Sequence, residues 1–394
     1  MWARYLTDAG YHCWATGRFD LNSDVPTGFH EVETRNGHFD NPDITSLFRN
    51  PLCYRMDERP DVDGRPRDER HHDEQLTNHT LSYLEHEAPS LGKPWLCWLG
   101  MSQPHPRFVA LRQYYEMYPL EDIDLPEVPQ KDLEHLHLVY QAMRHYKRIA
   151  TPIPEDRIRK ARAGYYGMIT ELDEYVGRVR DKLEETGQLE NTIFIYTSDH
   201  GESLGEHGLW HKSSFYENAS HVPFVMAGPG IPQGHVDLAA ALYEWPGLEV
   251  PGEIRGHSLV PLLDGGTGDH PGWTYTESHS EGMMTGGFMI RKGPWKYVHF
   301  QWHDGLLFNL DEDPGEFENR IEDPACGEVV RELKGILESQ VDTERVTLDA
   351  FDAQKKMLGQ LTEGKTEEEF AAILESRLGP GQSRLMAATQ PRNP

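Results

Sequence analysis

The chain has 394 residues, 37% of them hydrophobic, and sets 38 Lys and Arg against 65 Asp and Glu for a formal charge of −27. That apolar content is enough for a buried core in two to three domain-sized units and too high for disorder, and no apolar run approaches the 18 residues of a membrane span. A charge of this sign repels nucleic acid and anionic lipid, so neither partner is expected, and an anionic ligand has to be met by a local group of cations or a metal ion.

The opening "MWARYLTDAG" has no long apolar region of the signal-peptide kind, so the chain as written reads as cytoplasmic unless a leader precedes it. It has the pattern of the end of an amphipathic helix, with Trp2, Tyr5 and Leu6 on one face and Gly10 as its cap, followed by the strand-like "YHCWAT". A helix feeding a strand is the second half of a crossover in a parallel sheet, so sequence upstream of Met1 is expected. "RPDVDGRPRDERHHDEQ" reads as a charged loop, residues 74–87 as a helix and "PWLCWLGM" as a buried strand. A Pro-rich acidic connection covers 119–135. "TPIPED" then starts a long helix carrying Ile158, Ala161, Tyr165, Met168, Ile169, Leu172, Val176, Val179 and Leu183 at three-and-four spacing, stopped by Gly187. "NTIFIYTS" reads as a central strand, "VPFVMAG" as another, and "VDLAAALYEW" as a helix. From 273 the alternating "GGFMIRKG", "PWKYVHFQ" and "GLLFNLDEDP" indicate an antiparallel meander, and the acidic tail has a helical pattern near 366–377. Cysteines 13, 53, 97 and 326 form no C-x-x-C pair, which argues for free thiols rather than a zinc site or disulfide framework.

The chemistry concentrates in "YTSDHGESLGEHGLWHK", residues 196–212, at the end of a strand, where open α/β sheets place their ligands. Asp199 offers a hard oxygen and His200 a nitrogen to one divalent ion, with Gly201 letting the backbone turn. An isolated D-H-G is more often a capped turn than a metal site. The longer run "TSDHGESLGEHGLWHKSSFYENASHVPFVMAGPGI" changes that balance, because it resembles the sulfatase branch of the alkaline phosphatase superfamily. "DAGYHCWATGRFDL", "GMSQPHPRF" and "MIRKGPWKYVHF…LLFNLDEDPGE" resemble further family segments in the family's order, and the Asp-His pair is most similar to choline-sulfatase and phosphonate monoester hydrolase relatives.

The resemblance implies an α/β fold: an alkaline phosphatase-like, mostly parallel sheet flanked by helices over residues 1–272, a small C-terminal antiparallel sheet subdomain over 273–345, and a tail over 346–394. It implies that Asp199 and His200 are metal ligands, with Ca²⁺ favoured over Mg²⁺ or Mn²⁺. Lys212 resembles the lysine that binds sulfate and helps protonate the leaving oxygen, and His105 its partner on the leaving-group side. Fixed cations aimed at developing negative charge, and a positioned acid, are what departure of an alkoxide requires. Arg18 stands where the family has lysine and could bind the anion bidentately. Asp20 replaces a family histidine, and its carboxylate would repel an anion unless protonated or metal-bound. Glu206, His207 and His211 read as solvated or supporting residues.

The family's nucleophile is a formylglycine made from Cys or Ser in C/S-x-P-S-R, and no such motif occurs in the chain. The expectation is therefore a sulfatase-like hydrolase of small anionic esters lacking its N-terminal nucleophile segment and impaired as this chain alone. A phosphodiesterase or phosphonate monoester hydrolase is the first alternative, for which His235 and His279 are candidate extra ligands if two metals are used. A non-catalytic homologue that binds anions is the second, and a homo-oligomer is compatible with either.

Overall fold

The computed structural model describes residues 2–19, 26–35, 59–126, 128, 130–229, 270–279, 281–366, 368–370 and 372. Asp20, Cys53, His235 and the expected "VDLAAALYEW" helix lie outside them. Helix α1 (Trp2–Asp8) ends at Gly10, whose φ of +97° is the left-handed cap geometry that glycine adopts without strain. Ala3 and Leu6 of α1 pack against Cys13 of strand β1 (His12–Arg18). β1 is buried from Cys13 to Gly17 because it lies between parallel neighbours, β2 (His30–Arg35) and β4 (Trp95–Gly100), in the order β2-β1-β4.

The charged stretch after residue 59 is not loop throughout. It contains β3 (Gly64–Arg67), which pairs in parallel with β5 (Phe108–Leu111). "GRPR" carries no β-branched or aromatic side chain, so the pairing partner rather than the local pattern makes it a strand. Helix α2 (His72–Ser82) runs on through a π turn to Glu87. A short α3 (Arg112–Tyr115) follows β5, and the Pro-rich connection includes α4 (Gln130–His135) and then α5 (Leu138–Tyr146), which the sequence reading had not identified. Val139, Tyr140 and Met143 of α5 pack with Phe215, Met283, Phe300 and Phe308, so α5 joins the main core to the C-terminal sheet.

Helix α6 (Glu155–Glu185) carries Glu155 and Asp156 in its first turn, where the helix dipole favours acids, and Gly187 follows at φ +69°. Ala161, Met168, Leu172, Val179 and Leu183 are buried, whereas Ile169 is 38% exposed. The same buried face also carries Arg162 and Glu171, charged residues that periodicity alone would not place inside.

β6 (Phe194–Thr197) pairs with β7 (Phe224–Ala227) in antiparallel register, and among the described residues it has no parallel neighbour, unlike the central strand anticipated for "NTIFIYTS". The segment Glu217–Ser220 between them is a single turn, α7. Beyond residue 273, β8 (Trp273–Ser278), β9 (Gly287–Lys292), β10 (Trp295–Phe300) and β11 (Leu306–Asn309) form the expected meander, ordered β11-β10-β9-β8. α8 (Gly327–Gln340) covers it with Leu333 and Leu337 against Phe288, Ile290 and Leu307, and α9 (Thr343–Thr362) follows. Neither helix was anticipated, and most of the stretch 366–377 lies outside the described residues. No helix among the described residues is long and apolar enough to cross a membrane.

Candidate functional site

β1 and β4 touch through glycine at their carboxyl ends. Gly17 has φ +90°, and a Cβ there would fall 2.0 Å from the Gly100 carbonyl oxygen, so no other residue fits between the strands. Arg18 follows Gly17 directly, and the chain leaving Gly100 forms the loop that carries His105. That loop is held from beneath. Asp73, fully buried in the first turn of α2, accepts the N–H groups of Ser102 at 3.0 Å and Gln103 at 2.8 Å. Burial alone would raise the Asp73 pKa; the hydrogen bonds and charge of His71 and the two N–H donors outweigh it and hold the carboxyl below its ordinary value. The Gln103 side chain donates at 2.9 Å to Glu171, which also accepts from Tyr175 Oη at 2.8 Å and pairs with Arg67.

Placed by this loop, His105 donates from Nδ1 to the Pro106 carbonyl at 2.9 Å, which fixes Nε2 as the nitrogen available for a ligand. Its ring centroid is 6.2 Å from that of His200, at 67°. His200 is arranged in the same way: Nδ1 donates to the Gly201 carbonyl at 2.8 Å, leaving the Nε2 lone pair free to bind, 3.5 Å from the Asp199 carboxylate. The Asp199 side chain is 80% exposed. Gly201 does not have a left-handed φ, so its role differs from the turn expected for it. A Cβ there would lie 2.1 Å from the Asn218 carbonyl oxygen, and its N–H bonds Ala219 O at 2.8 Å. Glycine is needed for close approach of the segment that follows Lys212.

Residues 202–211 close into a loop that delivers Lys212. Buried Glu202 accepts the His211 N–H at 2.7 Å and the Leu204 N–H at 3.2 Å, and Ser203 Oγ donates to His211 O at 2.8 Å. Burial pushes the Glu202 pKa up, but the His211 charge and these donors hold it below the ordinary range. His207 is buried and stacks on Tyr216 at 3.8 Å and 7°, and Glu206 pairs with Arg162 at 3.2 Å. These three residues support the loop from within rather than standing in solvent.

The electrostatics draw the pieces together. The His105 pKa is lowered, first by loss of hydration where the ring packs into the loop; the hydrogen bond to the Pro106 carbonyl opposes this, and the positive charges of Lys212, Arg18 and His200 add to it. His105 is exposed to solvent, which weakens the effect of lost hydration and screens the neighbouring charges alike, so the direction of the shift is small evidence beside the geometry. Arg18, His105, His200 and Lys212, from three separate segments, therefore act on one region, with Asp199 adjoining it. For a divalent ion the donors present are of the right kind but too few: Asp199 and His200 supply one oxygen and one nitrogen, and no group of three or more His, Cys, Asp or Glu suited to a metal occurs among the described residues. His279 lies 3.6 Å from Glu277 and edge-on to Phe288 of β9.

Sequence reasoning missed the residues that hold the site. Asp73, Gln103 and Glu171 anchor the His105 loop. Lys296 of β10, fully buried, donates to Phe215 O at 2.9 Å and pairs with Glu217 at 2.6 Å and Glu316 at 2.7 Å, tying the C-terminal sheet to the chain just past Lys212. The pattern of Val139, Tyr140, Met143 and Tyr146 would have revealed α5, but a buried charge leaves no periodic mark.

A mostly parallel α/β core with basic side chains gathered at strand ends and an appended antiparallel meander is the architecture of alkaline phosphatase-like hydrolases. The Sulfatase family profile matches residues 3–247, and the profile of the N-sulphoglucosamine sulphohydrolase C-terminal region matches 205–343. The chain belongs to the sulfatase family. It is similar to arylsulfatase K of Danio rerio, 28% identical over 88% of this chain and 69% of the relative, and to choline-sulfatase of Rhizobium meliloti, 33% identical over 63% of this chain and 51% of the relative. It thus spans about half to seven tenths of these relatives' length. Among solved structures, a phosphonate monoester hydrolase from Silicibacter pomeroyi superposes with a TM-score of 0.68 at 26% identity, covering 86% of this chain and 79% of the other.

Proposed function

We propose that Arg18, His105, His200 and Lys212 form the anion-binding part of a site for hydrolysis of small sulfate esters. The observation that carries this is the approach of His105 and His200, 6.2 Å between ring centroids, with the charges of Lys212 and Arg18 also acting on His105, in a protein whose formal charge is −27. Such a surface repels anions at long range, so four cations or potential cations in one place serve a ligand. Lys212 and Arg18 neutralise the sulfate oxygens, Arg18 with the two parallel donors of its guanidinium. Lys212 also helps protonate the leaving oxygen, and His105, its Nδ1 proton engaged by Pro106, is its partner on the leaving-group side through Nε2. Asp199 and His200 would be part of the donor set for a divalent ion, Ca²⁺ before Mg²⁺ or Mn²⁺, and the ion would supply Lewis-acid polarisation of the ester oxygens.

The chain has no C-x-P-S-R or S-x-P-S-R sequence, so no nucleophilic step is assigned to its residues, and these 394 residues alone bind the anion without turning it over. A second reading, hydrolysis of phosphonate or phosphate esters, is favoured by the Silicibacter pomeroyi phosphonate monoester hydrolase likeness, since the same cations suit either tetrahedral anion. The test is thermal stabilisation by sulfate and by phenylphosphonate, with assays on aryl sulfate and phosphonate esters. Lys212→Ala should abolish the shift from the preferred anion; an unchanged shift in that variant refutes the site.

A further inference from the structure

Lys147, the residue after α5, is fully buried, a rare state for lysine unless it is paired. Its Nζ donates to Ser213 Oγ at 2.8 Å, and Ser213 Oγ in turn lies 3.4 Å from the Glu281 carboxylate, forming a chain from lysine through hydroxyl to carboxylate. Ser213 directly follows Lys212. α5 grips the same stretch a second time, two residues on, where the Phe215 N–H donates to Tyr140 Oη at 3.0 Å. The loop that carries Glu281 leads from β8 to β9 and lies over the end of α5: a Cβ placed on Gly282 would lie 3.6 Å from Met143 Cγ, 3.9 Å from Tyr146 Cβ and 4.0 Å from Lys147 Cε.

Packing does not call for a lysine here. A methionine fills the same volume without desolvating a polar head, and swapping a buried polar group for an apolar one of similar shape is often neutral or stabilising. What the lysine adds is direction, because its hydrogen bond sets the rotamer and backbone position of the residue next to Lys212.

We propose that Lys147 is a positioning residue for Lys212, acting through Ser213, and that Glu281 registers the C-terminal sheet to the same point so that the anion-binding lysine is placed only when the two parts of the molecule are docked. The inference rests on the assignment of Lys212 to the anion site. Without the Lys147–Ser213 contact, the Lys212 side chain is free to turn toward solvent, and it loses its fixed aim at the anion beside His105.

Sulfate itself is the probe, titrated by calorimetry into the full chain, with denaturant midpoints measured in parallel. Lys147→Met and Ser213→Ala are each expected to stay folded and to weaken sulfate binding about tenfold, the lower end of what the loss of a residue supporting a ligating group costs. Ser213→Thr, which keeps the hydroxyl, should retain the parent affinity. If Lys147→Met does not fold, the Ser213 pair decides alone. Folded Lys147→Met or Ser213→Ala with parent affinity, or equal loss in Ser213→Thr and Ser213→Ala, overturns the positioning role while Lys212→Ala still loses binding. If Lys212→Ala binds sulfate as the parent does, or the parent binds none, the anion-site assignment fails and the inference falls with it.

Discussion

Glu171→Ala removes the carboxylate on which the His105 loop is built, and its cost follows from what it leaves behind. The Glu171 side chain is 0% exposed and pairs with Arg67, itself only 16% exposed, while also accepting from Gln103 Nε2 at 2.9 Å, Tyr175 Oη at 2.8 Å and Leu111 N at 3.4 Å. Truncation strands one nearly buried guanidinium and several donors. Breaking a buried pair from one side costs about 3–5 kcal/mol, and most of the donor loss is already inside that figure because the groups form one network. Glu171→Gln keeps an acceptor oxygen and the shape of the site but gives up the charge, so about 1–3 kcal/mol is expected for it. Chemical denaturation at pH 7, followed by far-UV circular dichroism, measures both. The ordering, Ala worse than Gln, is the diagnostic result, together with a smaller sulfate-induced shift in folded Glu171→Ala, where the Gln103 side chain loses its acceptor. A loss under about 1 kcal/mol for Glu171→Ala, far below the range for a broken buried pair, refutes the reasoning.

The parts of the fold legible in the sequence are those whose residues repeat with a period. Helix α6 and the meander from Trp273 to Asn309 follow directly from apolar spacing, since their buried residues recur with the period of the element. β3 was illegible because "GRPR" becomes a strand only through its partner β5. α5 and α8 were passed over because Pro-rich and acidic surroundings masked short amphipathic runs, although Val139, Tyr140 and Met143 on one and Leu333 and Leu337 on the other are buried. At the site, motif order is what nominates Asp199, His200, Lys212, His105 and Arg18. Their support could not be read this way, since Asp73, Glu171, Lys147 and Lys296 act through contacts between segments 20 to 104 residues apart. Separations of that kind carry no local signal.

Gly201→Ala should destabilise the chain or leave it insoluble, because the added Cβ would fall 2.1 Å from a backbone oxygen that cannot yield without moving Asn218; a variant with the parent denaturation midpoint contradicts this. Ca²⁺, Mg²⁺ and Mn²⁺ should bind weakly, as two donors allow, and Asp199→Ala should remove what binding there is; submicromolar affinity by calorimetry, or no effect of the substitution, places the metal site elsewhere. Asp73 supplies a prediction about pH. Its folded pKa is depressed, so it adds stability above its unfolded value of about 3.9 and loses that contribution as pH falls through the lower folded value. Burial acts against this, and the His71 charge and the N–H groups of Ser102 and Gln103 produce the net shift, so the stabilisation belongs to the His105 loop. Asp73→Asn turns one acceptor into a donor facing those N–H groups, and should cost about 1–3 kcal/mol at pH 7. Since the asparagine does not titrate, the gap between parent and variant should narrow from pH 5 toward pH 3, other carboxylates cancelling in the difference. Denaturant midpoints measured along that range give the gap directly, and a gap that stays constant or widens as pH falls means that Asp73 is not the ionised anchor of the loop.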